Sequence, residues 1–145
     1  MSARQKAIGD QRQTLLAAQA ITTALAGTIG GPVIGLVGMK YLVAEANFTY
    51  GSGGTTTDVY IQTSVDGGAT WIDIMNFHFT TASGKGVSAV VMTTALAANV
   101  SPGDGALAAN TILSGLLGDR VRAKLVTTGT YASSTSITVD ITAKG

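Results

Sequence analysis

The chain has 145 residues, of which 46% are hydrophobic and only 12% are charged, and its formal net charge is +1. This length suits one domain that buries a core without metal or disulfide support, and the lack of cysteine excludes disulfides, thiolate chemistry and cysteine metal sites. A charge so close to neutrality gives no global attraction to nucleic acid or to an acidic membrane, so neither is expected as a partner.

The composition favours an all-β domain. Val, Ile and Thr are abundant beside 19 glycines, and this mixture of β-branched residues and turn formers is typical of strands joined by tight turns. So few charges leave a surface of Thr, Ser, Ala and Gly, which protects a monomer poorly against self-association. We therefore expect part of the surface to be covered by other subunits.

The first residues of the chain are polar. Residues 1–13 carry Arg4, Lys6 and Arg12, and such a terminus predicts an N-terminal arm followed by one β-sandwich domain over residues 14–145. The three cations of the arm are candidate interface residues, because an arm of this kind could lie along neighbouring subunits.

A hydrophobic stretch follows the arm. A first strand is expected near residues 15–25. Residues 25–46 are apolar enough to test as a membrane span, but they are rich in glycine and short of helix formers. Because Gly30-Gly31-Pro32 is a strong turn signal, this stretch is predicted to form two buried strands joined at that turn.

The clearest pattern is DVYIQTSVDGGATWIDIMNFHF at residues 58–79. Apolar and polar residues alternate with a period of two, which predicts two strands, and Asp66-Gly67-Gly68 supplies the turn of a hairpin. In the second strand the apolar positions change from even at Ile74 to odd at Phe77. One extra residue between them, a β-bulge, would restore a single apolar face.

The remaining chain alternates in the same way. Further strands are predicted over residues 38–50, 87–94, 120–126 and 137–143, and a long loop over residues 95–109. The strand at 87–94 is mostly apolar and is expected to be buried, and the loop is long enough to indicate a contact role. Seven or eight strands without a parallel βαβ pattern predict an all-β, single-domain antiparallel β-sandwich or jelly roll.

The hairpin turn carries an Asp-box pattern formed by Ser64, Asp66, Gly68, Thr70 and Trp71. Asp66 can accept N–H bonds within the turn, Gly68 tolerates a left-handed backbone, and Trp71 can lie over the hairpin and cap an edge of the core. The pattern recurs as a folding element in sialidases and other β-propellers, which need a copy in each blade. Here it occurs once, so it predicts a structural role.

Two segments, VYIQTSVDGGATWIDI at residues 59–74 and the strand at residues 118–126, carry a resemblance. The first follows the pattern QTSxDGGxTWxDI of a group of small tailed-bacteriophage virion proteins. Gly118-Asp119-Arg120-Val121-Arg122 stands where these proteins carry a Gly-Arg-x-(Val/Ile)-Arg strand, and SSTSITVDITAKG resembles their Thr-rich last strand. The resemblance covers residues 40–145 and implies a β-sandwich or jelly roll on the head, neck or tail of a virion.

Arg120, Arg122 and Lys124 form a basic ladder along one strand face. Two interpretations remain open. The ladder either contacts an acidic neighbour, such as a capsid lattice, or another polyanion, or it is an ordinary solvated strand face. The three cations are candidate interface residues.

No catalytic constellation is visible, so an enzyme is not expected, and no cofactor or metal is implied. His78 is the single histidine, and spacing gives it neither a metal-ligand companion nor a Ser-His-Asp arrangement. Asp66 and Asp73 do not suit a glycosidase pair, because the turn occupies Asp66.

A structural role in a virion is therefore the first hypothesis. The chain would be a capsid decoration or cement protein that binds the major capsid protein without covalent bonds, as a trimer or another symmetric homo-oligomer on the head surface. One alternative is a neck or tail accessory or connector protein. Another is a carbohydrate-binding module that stacks sugars on Trp71 and Tyr60.

Overall fold

The computed structural model of the chain describes residues 11–145, and over this range it is all-β. Ten strands follow in chain order: β1 (Gln11–Ala20), β2 (Thr28–Ile34), β3 (Tyr41–Thr49), β4 (Ser52–Gly53), β5 (Thr56–Ser64), β6 (Ile72–Phe79), β7 (Gly84–Val91), β8 (Arg120–Thr128), β9 (Tyr131–Ala132) and β10 (Ser136–Lys144). These residues include no helix long and apolar enough to cross a membrane.

The strands form two packed sheets. The front sheet has the order β1-β10-β3-β7, the back sheet has the order β2-β8-β5-β6, and β4 pairs with β9 in a small separate ribbon. Every pairing is antiparallel. The predicted antiparallel β-sandwich is confirmed, and the ten strands exceed the predicted seven or eight because β4 and β9 have two residues each.

The predicted domain boundary can be compared with β1 only in part. The arm was expected over residues 1–13, and residues 1–10, with Arg4 and Lys6, lie outside the described residues. Residues 11–13 belong to β1 and pair with the end of β10. Arg12 therefore lies on a strand, where its guanidinium binds Asp140 at 3.0 Å.

The core lies between the sheets and follows the alternation of the sequence. Its central side chains are the inward-facing residues of three strands, Leu42, Ala44, Ala46 and Phe48 of β3, Val121, Ala123 and Leu125 of β8, and Ile137, Val139, Ile141 and Ala143 of β10. At one end of the core the ring of Phe48 stacks on Phe79 with 5.1 Å between centroids and meets Tyr131 edge-on at 5.9 Å. Burial of these aliphatic and aromatic groups is the main force that holds the sheets together.

The central hairpin forms as predicted, with β5 paired to β6. Ile61 pairs with Met75 and Gln62 pairs with Asp73, so Ile74 is an extra residue in β6. This is the expected β-bulge, one residue before the expected place. It lets Ile74, Met75 and Phe77 all contribute to the buried cluster, although their positions differ in parity.

The prediction of a turn at Gly30-Gly31-Pro32 is wrong. These residues lie inside β2, which pairs with β8 and has a register shift between Gly30 and Val33. An edge strand with a bulge tolerates Pro32, which has no N–H to donate, and Gly30 lies so close to the Leu15 backbone that no side chain would fit. β2 and β3 lie in different sheets and are not a hydrogen-bonded pair.

The burial predicted for residues 87–94 is also wrong. β7 ends at Val91 and lies at the edge of its sheet; its side chains alternate between the core and the outer face, and Val87 is 62% exposed. Only Val90 of this strand is fully buried. Gly84 and Gly86 leave room on β7 for the rings of Phe79 and Phe77, which close this side of the sandwich.

Candidate functional site

The outer surface of the back sheet is covered by the chain itself. The segment from residue 92 to residue 119 connects β7 to β8 and runs along the free edge of β6. Asp73 N donates to Gly103 O at 2.9 Å, Asn76 N donates to Thr111 O at 3.0 Å, and Leu113 N donates to Ile74 O at 2.8 Å. The loop predicted over residues 95–109 is thus a loop, and it contacts its own sheet.

A polar cluster on that surface, the covered face, consists of Gln62, Asp73, Asn76, Arg122 and Lys124. Asp73 is 4% exposed, and its carboxylate accepts N–H bonds from three successive loop residues, Gly105, Ala106 and Leu107, at 2.7 to 3.0 Å. Gln62 Nε2 adds a fourth donor at 2.8 Å. A carboxylate with this many donors offsets its burial, so Asp73 fixes the loop on the sheet.

Asp104, in the loop, adds a second carboxylate to the covered face. Its carboxylate accepts from Gln62 Nε2 at 2.7 Å and from Lys124 Nζ at 3.0 Å, and Arg122 Nη2 lies 3.4 Å away. The hydrogen bond from Gln62, with the charges of Lys124 and Arg122, lowers the pKa of Asp104 below its usual value. The Asp104 carboxylate of the loop thus neutralises Arg122 and Lys124.

The predicted basic ladder is therefore paired within the chain. Arg122 Nε also donates to Gln62 Oε1 at 2.7 Å, and Arg120 forms an ion pair with Asp119 at 3.2 Å. This pair lowers the pKa of Asp119 and raises that of Arg120. The side chains of Arg122 and Lys124 are only 16% and 19% exposed, so these two cations do not form an open solvated face.

At the far end of the covered face, Asn76 joins the loop to a carboxylate and a histidine. Asn76 Nδ2 donates to Asp58 Oδ1 at 3.2 Å, and Asn76 Oδ1 accepts from Asn110 N at 3.0 Å. His78 Nδ1 lies 2.8 Å from the same Asp58 oxygen, and His78 N donates to Asn110 Oδ1. The Asn76 side chain thus binds the backbone of the loop, and the Asn110 side chain binds the backbone of β6, so both residues hold the loop on this strand.

The Asp-box residues form a self-contained turn. Ser64 Oγ donates to Asp66 Oδ1 at 2.8 Å and accepts from Gly68 N at 2.9 Å, and Asp66 Oδ1 accepts from Thr70 N at 2.8 Å. The Thr70 N–H, then Ser64, hold the pKa of Asp66 below its usual value. Gly68 has a φ of 95°, which favours glycine. The local role predicted for these residues matches this geometry.

Trp71 lies on the outside of the hairpin. The guanidinium carbon of Arg122 stands 4.3 Å from the centroid of its ring, a cation–π contact, and Gly68 packs against the ring edge. Trp71 does not belong to the core cluster of the described residues, so it does not cap the core edge as predicted. One face of the ring is taken by Arg122.

A second surface, which we call the apolar end, lies at the end of the sandwich that carries the turn after β2 and the hairpin turn between β5 and β6. It consists of the exposed side chains of Ile34, Val37, Val65 and Leu96. Val65, in the hairpin turn, separates two shallow grooves. One, of about 620 Å³, runs to Leu96 and the loop beyond it, and the other, of about 340 Å³, runs to Val37.

Two lysines border the apolar end. Lys40 N donates to Lys144 O at 2.7 Å, which places these residues side by side next to Val37. Within residues 11–145 neither lysine forms an ion pair, whereas the other five cations, Arg12, Lys85, Arg120, Arg122 and Lys124, all lie within 4 Å of a carboxylate. Asp66, next to Val65, also forms no ion pair within the described residues, so unpaired groups of both signs lie near this end.

Sequence reasoning did not find the residues that organise these two surfaces. Asp73 lies on β6 and Asp104 lies in the loop after β7, which has no periodic pattern, so nothing in the sequence indicates that both bind Gln62. Val37 and Val65 lie in turns, where isolated valines are ordinary. Among the described residues no group of three or more His, Cys, Asp or Glu side chains is placed to hold a metal ion.

Comparison with protein-family models, with curated proteins and with solved structures gives no match for this chain.

Proposed function

We propose that this chain is a structural virion protein of a tailed bacteriophage, a decoration or cement protein that stabilises the major capsid lattice. The observation that carries the proposal is the resemblance of the hairpin at residues 59–74 and of the Arg120-Val121-Arg122 strand to small virion proteins. The hairpin has the self-contained geometry of a folding element. The proposal thus gives these residues a structural role and no catalytic one.

The distribution of the surface groups supports a role in assembly. The polar groups of the covered face bond to one another, while the apolar end exposes aliphatic side chains, with Val37 exposed by 79%. Large apolar groups that protrude in this way stabilise a protein when a neighbour covers them. Apolar area added at the seams between capsid subunits would stabilise the particle by mass action, because the protein binds the assembled lattice and not the dissociated subunits.

The test uses capsids of the phage whose genome encodes this chain, assembled without it. Purified protein added to them should co-sediment with the particles and raise their melting temperature, with saturation at a fixed number of copies per particle. The proposed partners are the major capsid protein and further copies of this chain, for example in a trimer at a symmetry axis. A protein that leaves the capsids free and their melting temperature unchanged contradicts the proposal.

A position at the neck or tail is the second candidate, and the same resemblance favours it, because the related virion proteins occupy these places too. Gold-labelled antibodies against the chain, viewed on intact virions by electron microscopy, separate the two. Label spread over the head supports the decoration role, and label confined to the neck or tail supports the accessory or connector role.

A further inference from the structure

One edge of the front sheet is open. Among the four edge strands of the two described sheets, β6 is covered by the loop after β7, β2 contains Pro32 and a bulge, and β1 has two register shifts. β7 pairs with β3 along its whole length without a register shift, and it contains no proline. Its one charged residue, Lys85, is held toward β3 by Glu45 at 3.3 Å. A regular edge strand of this kind is a template on which another strand can pair.

The backbone groups at this edge have no partner in the chain. Met92 N donates to Lys40 O, just before β3, at 2.9 Å, whereas Val91 N donates to the other side, to Ser114 Oγ at 3.0 Å. Successive residues of a strand direct N–H and C=O alternately to its two sides, so every second residue of β7 directs them away from β3: Lys85, Val87 and Ala89. Within residues 11–145 no hydrogen bond reaches the outward groups of these three residues.

The back sheet extends beyond this open edge. Ile112 forms an antiparallel bridge with Met75 of β6, and directly opposed residues of a sheet share one face. Met75 is fully buried in the core, so Ile112 also faces toward the front sheet, and yet Ile112 is 48% exposed. An inward-facing aliphatic side chain is exposed here because the front sheet has no strand above it.

Ile112 lies at the level of the outward groups. The rings of two β6 residues rest on two glycines of β7 in reverse order, Phe79 on Gly84 and Phe77 on Gly86. Continuing this order places Met75, with Ile112 beside it, at the level of Ser88. A strand added beside β7 would therefore lie over Ile112, and its residue opposite Ser88 would face that side chain.

We propose that this open edge, formed by the outward backbone groups of Lys85, Val87 and Ala89 with Ile112 beneath them, binds one extended segment of a partner protein as an added strand. The segment forms backbone hydrogen bonds with β7 and covers Ile112 with an aliphatic side chain. In such recognition the backbone bonds give affinity and the side chains give specificity. The inference rests on the proposed function, under which the segment belongs to a neighbouring capsid subunit, and it adds a contact separate from the apolar end.

A single extended segment fits this edge better than a second copy of the chain. Pairing β7 with another β7 would bring the β6 of the second copy, which lies under its own β7, to the place that residues 111–113 occupy in the first. The inward residues at the centre of β7 are Gly86 and Ser88, which would cover little of Ile112. One strand with a larger aliphatic residue meets neither obstacle.

The experiment measures binding of the full chain to capsids assembled without it, by co-sedimentation. Ala89→Pro removes one outward N–H and places a ring where the added strand would lie, while the bonds of β7 to β3 remain, because an edge strand tolerates proline where its N–H faces outward. It should weaken binding at least about 10-fold, whereas Ala89→Ser, which keeps the N–H, should bind within about 2-fold of the unchanged protein.

Ile112→Asp tests the side-chain contact. It places a carboxylate under the added strand and should weaken binding about 10-fold. Ile29→Asp is the matched control, because Ile29 is 42% exposed but lies on β2, at the opposite edge of the back sheet from β6, and this variant should bind within about 2-fold of the unchanged protein. Thermal unfolding verifies that each variant is folded.

Amide exchange locates the contact residue by residue. Exchange is stopped on the capsid, the protein is released, and its amides are read by NMR. The outward amides of Lys85, Val87 and Ala89 should exchange fast in the free protein and slowly on the capsid, whereas those of Gly86 and Ser88, which bond to β3, should be slow in both states.

The outcomes separate the open edge from the proposed function. Unchanged protein that binds capsids, with Ala89→Pro and Ile112→Asp variants that bind equally well and no new protection in β7, overturns the open edge and leaves the proposed function standing. Equal losses in Ile112→Asp and Ile29→Asp also overturn the open edge. Unchanged protein that binds no capsid overturns both. A dimer of the isolated protein that Ala89→Pro converts to a monomer overturns the capsid segment in favour of a second copy.

Discussion

The covered face and the apolar end use the same kinds of residue in opposite ways. On the covered face, the charges of Asp73, Asp104 and Arg122 are satisfied by other groups of the chain at hydrogen-bond distance. At the apolar end, Val37 and Val65 protrude beside lysines that have no carboxylate partner in the described residues. The charged residues of the covered face thus serve internal bonding, whereas the valines of the apolar end remain exposed.

The largest expected effect is the loss of Asp73. Asp73→Ala would remove the carboxylate that accepts from the part-buried N–H groups of residues 105–107. A hydrogen bond to a charged group contributes about 1.5–3 kcal/mol, so we expect the three together to cost at least about 3 kcal/mol in the free energy of unfolding. Urea denaturation measures it. Asp104→Ala, on the same loop but 51% exposed, is the control and should cost about 1 kcal/mol or less. Equal losses for the two variants would contradict the anchoring role of Asp73.

Next in size is the hairpin turn. Ser64→Ala removes the acceptor of Gly68 N and a donor to Asp66, and we expect the free energy of unfolding to fall by about 1 kcal/mol, the usual contribution of one hydrogen bond. Ser52→Ala, which removes an exposed hydroxyl that pairs with Ser133, is the comparison and should have a smaller effect. If Ser64→Ala has no effect on stability, the Asp-box is not the folding element described above.

The stack between Arg122 and Trp71 is expected to contribute less. Arg122→Lys keeps the charge but loses the planar group over the ring, and the part of the loss that comes from the stack should be about 0.5–1 kcal/mol, in addition to that of the Nε bond to Gln62. Since the chain has a single tryptophan, its fluorescence reports on this contact directly. An emission spectrum that Arg122→Lys does not change would contradict the stack.

A shallow acid dependence should come from the carboxylates. The pKa values of Asp66 and Asp104 are lowered in the folded protein, Asp66 by the Thr70 N–H and Asp104 by Gln62. A lowered pKa contributes stability that is present above the ordinary value of 3.8 and is lost as the pH falls through the folded value. Urea midpoints should therefore decrease below about pH 4, less steeply in Asp104→Asn. Midpoints that rise on acidification would contradict this sign.

The smallest effect on folding is expected at the apolar end. Val65→Asp changes an exposed side chain and should alter the free energy of unfolding by no more than about 0.5 kcal/mol, since surface substitutions seldom do more. Thermal unfolding measures this. A large loss would show that Val65 supports the fold and would weaken the contrast between the two surfaces.

Much of the fold could be predicted because its strands obey simple alternation. Val121, Ala123 and Leu125 face the core as their period of two requires, and the central hairpin has a turn with strong local preferences. β2 could not be predicted, because Gly30-Gly31-Pro32 has the composition of a turn. It forms part of a strand only because pairing with β8 and the close approach of Leu15 override the local preference.

The candidate surfaces were less predictable than the fold. The ladder of Arg120, Arg122 and Lys124 was recognised, but its partner Asp104 lies in a loop whose path depends on long-range bonds to Asp73. The apolar end is assembled from turns that are distant in sequence, so no window of residues contains it. Such surfaces follow from tertiary contacts, and local patterns do not encode them.

Hydrogen exchange on the free and the capsid-bound protein tests the contrast between the two surfaces most directly. The amides of residues 105–107 are bonded to Asp73 and should exchange slowly in both states. Those of Val37, Gly38, Val65 and Gly67, at the apolar end, should exchange fast in the free protein and slow markedly on binding. New protection over residues 103–113, with none at the apolar end, would contradict the account.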